Sequence, residues 1–182
     1  MRPLAPWFEA PVAARHDRKR FDCGDEDLNR YLQRYARQNH DSGGAKCFVA
    51  AEESAPERVL GFYTLSPASL TYARTPETLR RGLGRYEVPV FRLGWFAVDA
   101  SVQGRGLGGD LLLAAGERAL LVAEHVGGVA LLIDAKHRRA ADWYRRYGAV
   151  PLLDAELSLV LPLKTIAEAI ALAGRRGPVS EV

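Results

Sequence analysis

The sequence predicts an α/β fold with a mixed central sheet and helices on both faces. Three observations carry this. Short β-prone runs come before, between and after helical segments in mixed order, which argues against a purely parallel sheet. A nearly continuous apolar run, Phe91–Val98, leads through a glycine-rich turn into a long helical stretch at about 107–126. The length of 182 residues, with 48% hydrophobic and 26% charged residues, suits a single domain, 1–173. Residues 174–182 then read as a flexible tail.

The elements follow in order. Phe21-Asp22-Cys23-Gly24-Asp25-Glu26-Asp27 puts acidic side chains where a helix begins, and the helix dipole favours them there. Leu28, Tyr31, Leu32 and Tyr35 continue at helical spacing, and Arg30, Arg34 and Arg37 form a separate basic stripe. Lys46–Ala51 and Val59–Leu65 are two β-prone runs joined as a hairpin. Pro76–Leu83 opens with proline and reads as a short helix. The strand at 91–98 is apolar enough to be covered on both faces. In helix 107–126, Asp110, Glu117 and Glu124 recur every seventh residue, so most of the rest should be buried. Gly127-Gly128 ends it. Val129–Ile133 is a buried strand, Arg138–Tyr147 a short helix stopped by Gly148, Leu157–Leu163 a last strand, and Lys164–Ala173 a last helix.

The balance of 25 basic against 22 acidic residues, a net +3, does not by itself call for nucleic acid, though it permits an anionic ligand. Cys23 and Cys47 form no metal-type pair and follow no secretion signal, so two free, buried thiols in a cytoplasmic protein are expected. No metal site is expected. No apolar stretch approaches the roughly 18 residues of a membrane span. His16, His40, His125 and His137 sit in no motif and are expected at the surface.

Gln103-Gly104-Arg105-Gly106-Leu107-Gly108-Gly109 lies between a strand and a helix N-terminus. Glycine is a poor helix former, so glycines clustered at a helix start need a reason. Convergent backbone N–H groups and the helix dipole make such a turn an anion site; the alternative is a tight turn with no ligand. Two anions compete. Gly104, Gly106 and Gly109 fit G-x-G-x-x-G, with Asp134 near where a dinucleotide's ribose would need an acid. Against this, Asp99–Gln103 intervenes after the strand, and too few βα units follow. The second match is Gln103-x-x-Gly106-x-Gly108, the Q/R-x-x-G-x-G/A pattern. Through it the chain resembles the GNAT acetyltransferases, from about Phe21 to Ala169.

That resemblance implies a GNAT fold with splayed strands that bind acetyl-CoA. Backbone amides of Gly104, Arg105, Gly106, Leu107, Gly108 and Gly109, together with Gln103, would hold the pyrophosphate. Ala97, Val98 and Asp99 would offer main-chain groups to the pantetheine arm. It also implies that Tyr144, in Ala141-Asp142-Trp143-Tyr144-Arg145-Arg146-Tyr147-Gly148, gives a proton to the departing thiolate. The chemistry is sound: a phenol with pKa near 10 can reprotonate a thiolate within hydrogen-bond reach. Ala140, Tyr144 and Tyr147 also share a helical face, so a packing role is the alternative.

Within the superfamily the chain is similar to the toxin branch that acetylates charged tRNA. The matching residues are Phe21, Cys23, Gly24, Leu28, Tyr31 and Leu32; Gly61–Leu65; Val88–Val90 with Leu93-Gly94; Ala97–Asp99; and Leu159 with Leu161–Thr165. Trp95 departs from the arginine usual there. This branch implies aminoacyl-tRNA as acceptor, a ribbon-helix-helix antitoxin and a homodimer. Arg30, Arg34, Arg37, Arg138 and Arg139 are the candidate tRNA contacts; a solvated face is the alternative for each, and the phosphates of coenzyme A are a further one for Arg138 and Arg139, which flank Tyr144. Two other functions stay open: acetylation of a small amine or protein N-terminus, and a non-catalytic module binding RNA or antitoxin.

Overall fold

A computed structural model describes residues 3–174. The tail expected at 174–182 lies, beyond Gly174, outside the described residues. The strands are β1 (Trp7–Pro11), β2 (Lys46–Glu52), β3 (Ala55–Leu70), β4 (Val88–Val98), β5 (Ala130–Asp134), β6 (Val150–Leu152) and β7 (Ala155–Pro162). The helices are α1 (Glu26–Arg30), α2 (Ala36–Ser42), α3 (Glu77–Arg80), α4 (Leu107–Val126), α5 (Arg138–Arg145) and α6 (Leu163–Ala173). The strands form a seven-stranded sheet in the order β1-β2-β3-β4-β5-β7-β6. It is mixed: β4 and β5 pair parallel, whereas β1·β2, β2·β3, β5·β7 and β6·β7 pair antiparallel.

Two compact units divide the chain. The first holds residues up to Leu65 together with Trp95–Ala114. Its core gathers Phe21, Tyr31, Leu32, Val49, Phe62 and Ala97. The Phe21 ring meets Phe62 edge-on at 5.4 Å. Asp25 caps α1, its carboxylate accepting from the N–H groups of Asp27 and Leu28 at 3.0 and 3.2 Å. Between α1 and α2 the backbone widens into a π turn, Tyr31–Tyr35. Arg18 braces that turn, donating from Nη1 to the carbonyls of Leu32 and Gln33, both at 3.2 Å.

The second unit holds Ser66–Gly94 and, among the described residues, the chain from Ala115 to Gly174. Leu70, Val88, Val90, Leu132, Leu152 and Val160 pack its core. The β4–β5 ladder joins Phe91, Arg92 and Leu93 to Leu131, Leu132 and Ile133. At Gly116 a Cβ would fall 2.6 Å from Ile166, so glycine lets α4 and α6 approach closely.

Several expectations need correction. The strand at 91–98 is not covered throughout: Arg92, Gly94 and Trp95 are exposed, because a charge, a missing side chain and a ring with one open face interrupt the run. Helix α4 is buried at Leu111, Leu112, Ala115 and Ala119, but its last turns expose Leu121, Val122 and Val126. The helix foreseen at 76–83 shrinks to a single turn before Gly82, whose φ is +83°. Strands β1 and β6 escape sequence inspection, since both are short and contain proline.

Candidate functional site

The glycine turn is built within the first unit. After β4, Asp99 caps a 3-10 turn, Ala100–Val102. Its Oδ1 accepts from the N–H of Ser101 at 3.0 Å, and Oδ2 from the N–H of Asp22 at 3.1 Å. Its own N–H donates to the Leu60 carbonyl at 2.9 Å, and its carbonyl accepts from Val102 and Gln103. Asp99 is thus a bracket tying the end of β4 to β3 and to the segment before α1. Gln103 is a strut: Nε2 donates to the carbonyls of Cys23 at 3.0 Å and Val98 at 2.9 Å.

Beyond this frame the turn opens. Gly104 and Gly106 have φ of +74° and +91°, and a Cβ at either would meet nothing within 4 Å. Any other residue would strain the backbone there and push atoms into that open space. Leu107 starts α4 with its side chain buried in the core, so only its main chain faces the turn's function. Gly108 and Gly109 complete the helix's first turn, and half-buried Arg105 has no ion pair among the described residues. A glycine turn with room beside it, at the N-terminus of a twenty-residue helix, fits a diphosphate. At Gly61 on β3 a Cβ would lie 2.7 Å from Leu111 and 3.1 Å from the Ala97 carbonyl, so this glycine lets the helix seat against the strands.

Tyr144 belongs to the second unit. Helix α5 presents Ala141 and Tyr144 to the interior. Tyr144 is only 8% exposed, and its ring meets Trp143 edge-on at 4.9 Å. Burial holds its phenol well above the usual tyrosine range, so it is a neutral acid at any physiological pH. The helix ends at Arg145, and the turn that follows closes at Gly148 (φ +95°), where a Cβ would sit 2.9 Å from Thr165. His137 caps α5, Nδ1 accepting from the Ala140 N–H at 3.1 Å.

A family model described as an acetyltransferase (GNAT) domain matches residues 43–148, which include both the glycine turn and Tyr144. The chain belongs to the GNAT acetyltransferases. Among its relatives is the tRNA-acetylating toxin of Mycobacterium tuberculosis (strain ATCC 25618 / H37Rv). It is 36% identical over 158 residues, which cover 86% of this chain and 89% of the toxin. The structure of AtaT complexed with acetyl-methionyl-tRNAfMet superposes with a TM-score of 0.84 at 27% identity, over 91% of this GNAT chain and 99% of that one. A tyrosine-to-phenylalanine variant of AtaT, bound to the C-terminus of the antitoxin AtaR and acetyl-CoA, gives 0.77 at 26% identity, over 93% and 99%.

Asp134 does not serve a dinucleotide in this GNAT chain: one carboxylate oxygen pairs with Arg92 and the other accepts from Ser158 Oγ at 2.8 Å. The basic residues fall into two groups. In the first unit, Arg30 pairs with Asp27 at 3.3 Å, while Arg34 and Arg37 are exposed with no ion pair among the described residues. In the second, Arg139 is exposed and likewise unpaired, whereas Arg138 meets Glu156 at 2.7 Å. The basic stretch around Tyr144 is therefore opposed by Glu156 as well as by Asp142. His16 corrects the expectation of surface histidines. It is 3% exposed, and Nδ1 accepts from the Ala13 N–H at 3.0 Å. Burial and the nearby Arg15 and Arg18 hold its pKa down.

The Arg18 brace, the Gln103 strut and the seat of Trp95 each depend on a partner distant in the chain, so no local sequence pattern marks them. Among the described residues no group of three His, Cys, Asp or Glu is placed to hold a metal, and no helix is long and apolar enough to cross a membrane.

Proposed function

We propose that this enzyme moves the acetyl group of acetyl-CoA onto the α-amino group of an aminoacyl-tRNA, and so blocks translation as a toxin. The observation that carries this is the 36% identity, over 86% of the chain, to a toxin named for acetylating tRNA. The likeness to AtaT with acetyl-methionyl-tRNAfMet supports it.

In this assignment the amides of 104–109 hold the pyrophosphate and Arg105 adds positive charge. Gln103 and Asp99 keep the turn in shape, and Ala97 and Val98 line the pantetheine arm. Acetyl-CoA supplies the acyl group as a thioester. The α-amine attacks the thioester carbonyl, the C–S bond breaks, and the Tyr144 hydroxyl gives its proton to the sulfur. The nitrogen's extra proton passes to water, and water returns a proton to the Tyr144 oxygen, so the phenol is restored and the amide and free thiol are the net products. A dehydrated setting raises phenol and thiol pKa values alike, so the two groups stay matched. No strong base is needed, because an α-amine with pKa near 8 has a usable neutral fraction at pH 7.

Arg138 and Arg139 occupy the first turn of α5, where the helix dipole disfavours cations. That placement suits an anionic ligand, as does the lack of an ion pair at Arg34 and Arg37 among the described residues. Residues 1–173 then work as one catalytic domain. AtaT is seen bound to the antitoxin AtaR, which supports an antitoxin partner for this chain; in this reading that antitoxin is of the ribbon-helix-helix type and the enzyme works with a second copy of itself. The working place is the cytoplasm, where charged tRNA is found.

The test is to offer labelled acetyl-CoA with charged tRNA, uncharged tRNA and free amines. Label is expected on the amino acid of charged tRNA. Label confined to free amines, or none at all, would overturn the assignment.

A further inference from the structure

We propose that Trp95 is a specificity-determining residue, an aromatic platform on which a planar ring of the acceptor's charged 3′ end stacks. This role rests on the tRNA-acetylating function proposed above.

Trp95 is held on one side and open on the other. Its ring lies parallel to Tyr31, with centroids 4.3 Å apart and planes 7° apart. Tyr31 is 6% exposed and continues the stack onto Phe62 at 6.3 Å and 16°. Asn39 Nδ2 donates to the Tyr31 hydroxyl at 3.0 Å, and the Trp95 N–H donates to Thr64 Oγ1 at 2.9 Å. The residue is fixed from both ring and backbone, yet Trp95 remains 39% exposed. In the same core, Phe21 and Phe62 are 2% and 0% exposed. A large ring gains most by full burial, so a rigid one left open is poised for a partner. Because its ordering is complete before binding, stacking on it forfeits little entropy.

The surroundings select the partner. Tyr31 begins the π turn, a distortion frequent at functional sites, and Arg18 braces its carbonyls. Tyr35, 51% exposed, closes that turn, and Arg34 and Arg37 stand exposed on the same helical run. Open aromatic rings and exposed arginines on one helical run suit a single-stranded nucleic-acid end, through stacking and phosphate attraction. Trp95 precedes Ala97 by two residues on β4, about 7 Å along the strand. It therefore lies near the acyl end of the assigned arm. The adenine of coenzyme A is tied instead to the pyrophosphate at 104–109.

Two rings of the acceptor share this chemistry: the terminal adenine and an aromatic amino-acid side chain. Acetylation kinetics on a panel of tRNAs with small and aromatic aminoacyl groups would be compared for wild type, Trp95→Leu and Trp95→Phe. Binding of uncharged tRNA would be measured beside them. Trp95→Leu should raise KM for charged tRNA about ten-fold, leave KM for acetyl-CoA unchanged, and be largely rescued by Trp95→Phe. Trp95→Phe keeps a ring on Tyr31, and melting curves report folding for both variants. Weaker binding of uncharged tRNA, with loss on every substrate, assigns the adenine. Loss confined to aromatic aminoacyl groups assigns the side chain. An active wild type with an unchanged tRNA KM in Trp95→Leu, or an equal rise in KM for acetyl-CoA, overturns the platform alone. A wild type that labels no charged tRNA overturns the proposed function and the platform with it.

Discussion

Tyr144 and Cys47 show how burial sets chemistry at single residues. Both are acids kept neutral because their anions would lose hydration. For Tyr144, the raised pKa means the phenol retains its proton across the whole range in which the amine titrates. The rate should therefore rise with pH as the amine loses its proton and show no alkaline fall up to pH ~9.5. Tyr144→Phe should lower kcat about 100-fold and leave acetyl-CoA binding intact, as stopped assays and calorimetry would show. A variant with unchanged kcat would make Tyr144 a packing residue. Cys47 is fully buried, and burial pushes its thiol from 9.0 up to about 12. The unfolded thiol ionises first, so stability is full below pH 9 and falls as pH rises from 9 toward 12. Melting temperatures across that interval should fall less steeply in Cys47→Ala than in wild type.

The glycine turn is an element whose shape depends on groups outside it. Gly104 and Gly106 supply the backbone conformation, but Gln103 and Asp99 fix where the turn stands. Gln103→Ala removes two hydrogen bonds and should cost about 1–3 kcal/mol of stability. It should also weaken acetyl-CoA binding, since the turn would no longer be held in one place. Isothermal titration beside chemical denaturation separates the two effects, and unchanged affinity would confine Gln103 to a structural role. The π turn follows the same logic: a carbonyl displaced from the helix ladder needs a donor, and Arg18 provides one for Leu32 and for Gln33.

For the whole molecule, a bound ligand stabilises the native state by mass action. Acetyl-CoA at a hundred times its Kd should add about 2.7 kcal/mol. For a chain of this size that is a rise in Tm of about 5–10 °C. A scanning melt with millimolar acetyl-CoA and no shift would contradict the assignment of the glycine turn.

The α/β class, the hairpin, the strand–turn–helix around Gln103–Gly109 and the family to which the chain belongs are all legible in the sequence. These are local: hydrophobic period, helix capping and glycine spacing are written in neighbouring residues. The sequence left Tyr144 divided between packing and catalysis, and burial within α5 accommodates both roles. Tertiary structure alone decided what depends on distant partners. It made Arg18 the brace of the π turn, buried His16, tied Asp134 to Arg92 and Ser158, and set Trp95 against Tyr31. In each case the deciding energy is a contact between segments far apart in the chain, and no local pattern encodes it.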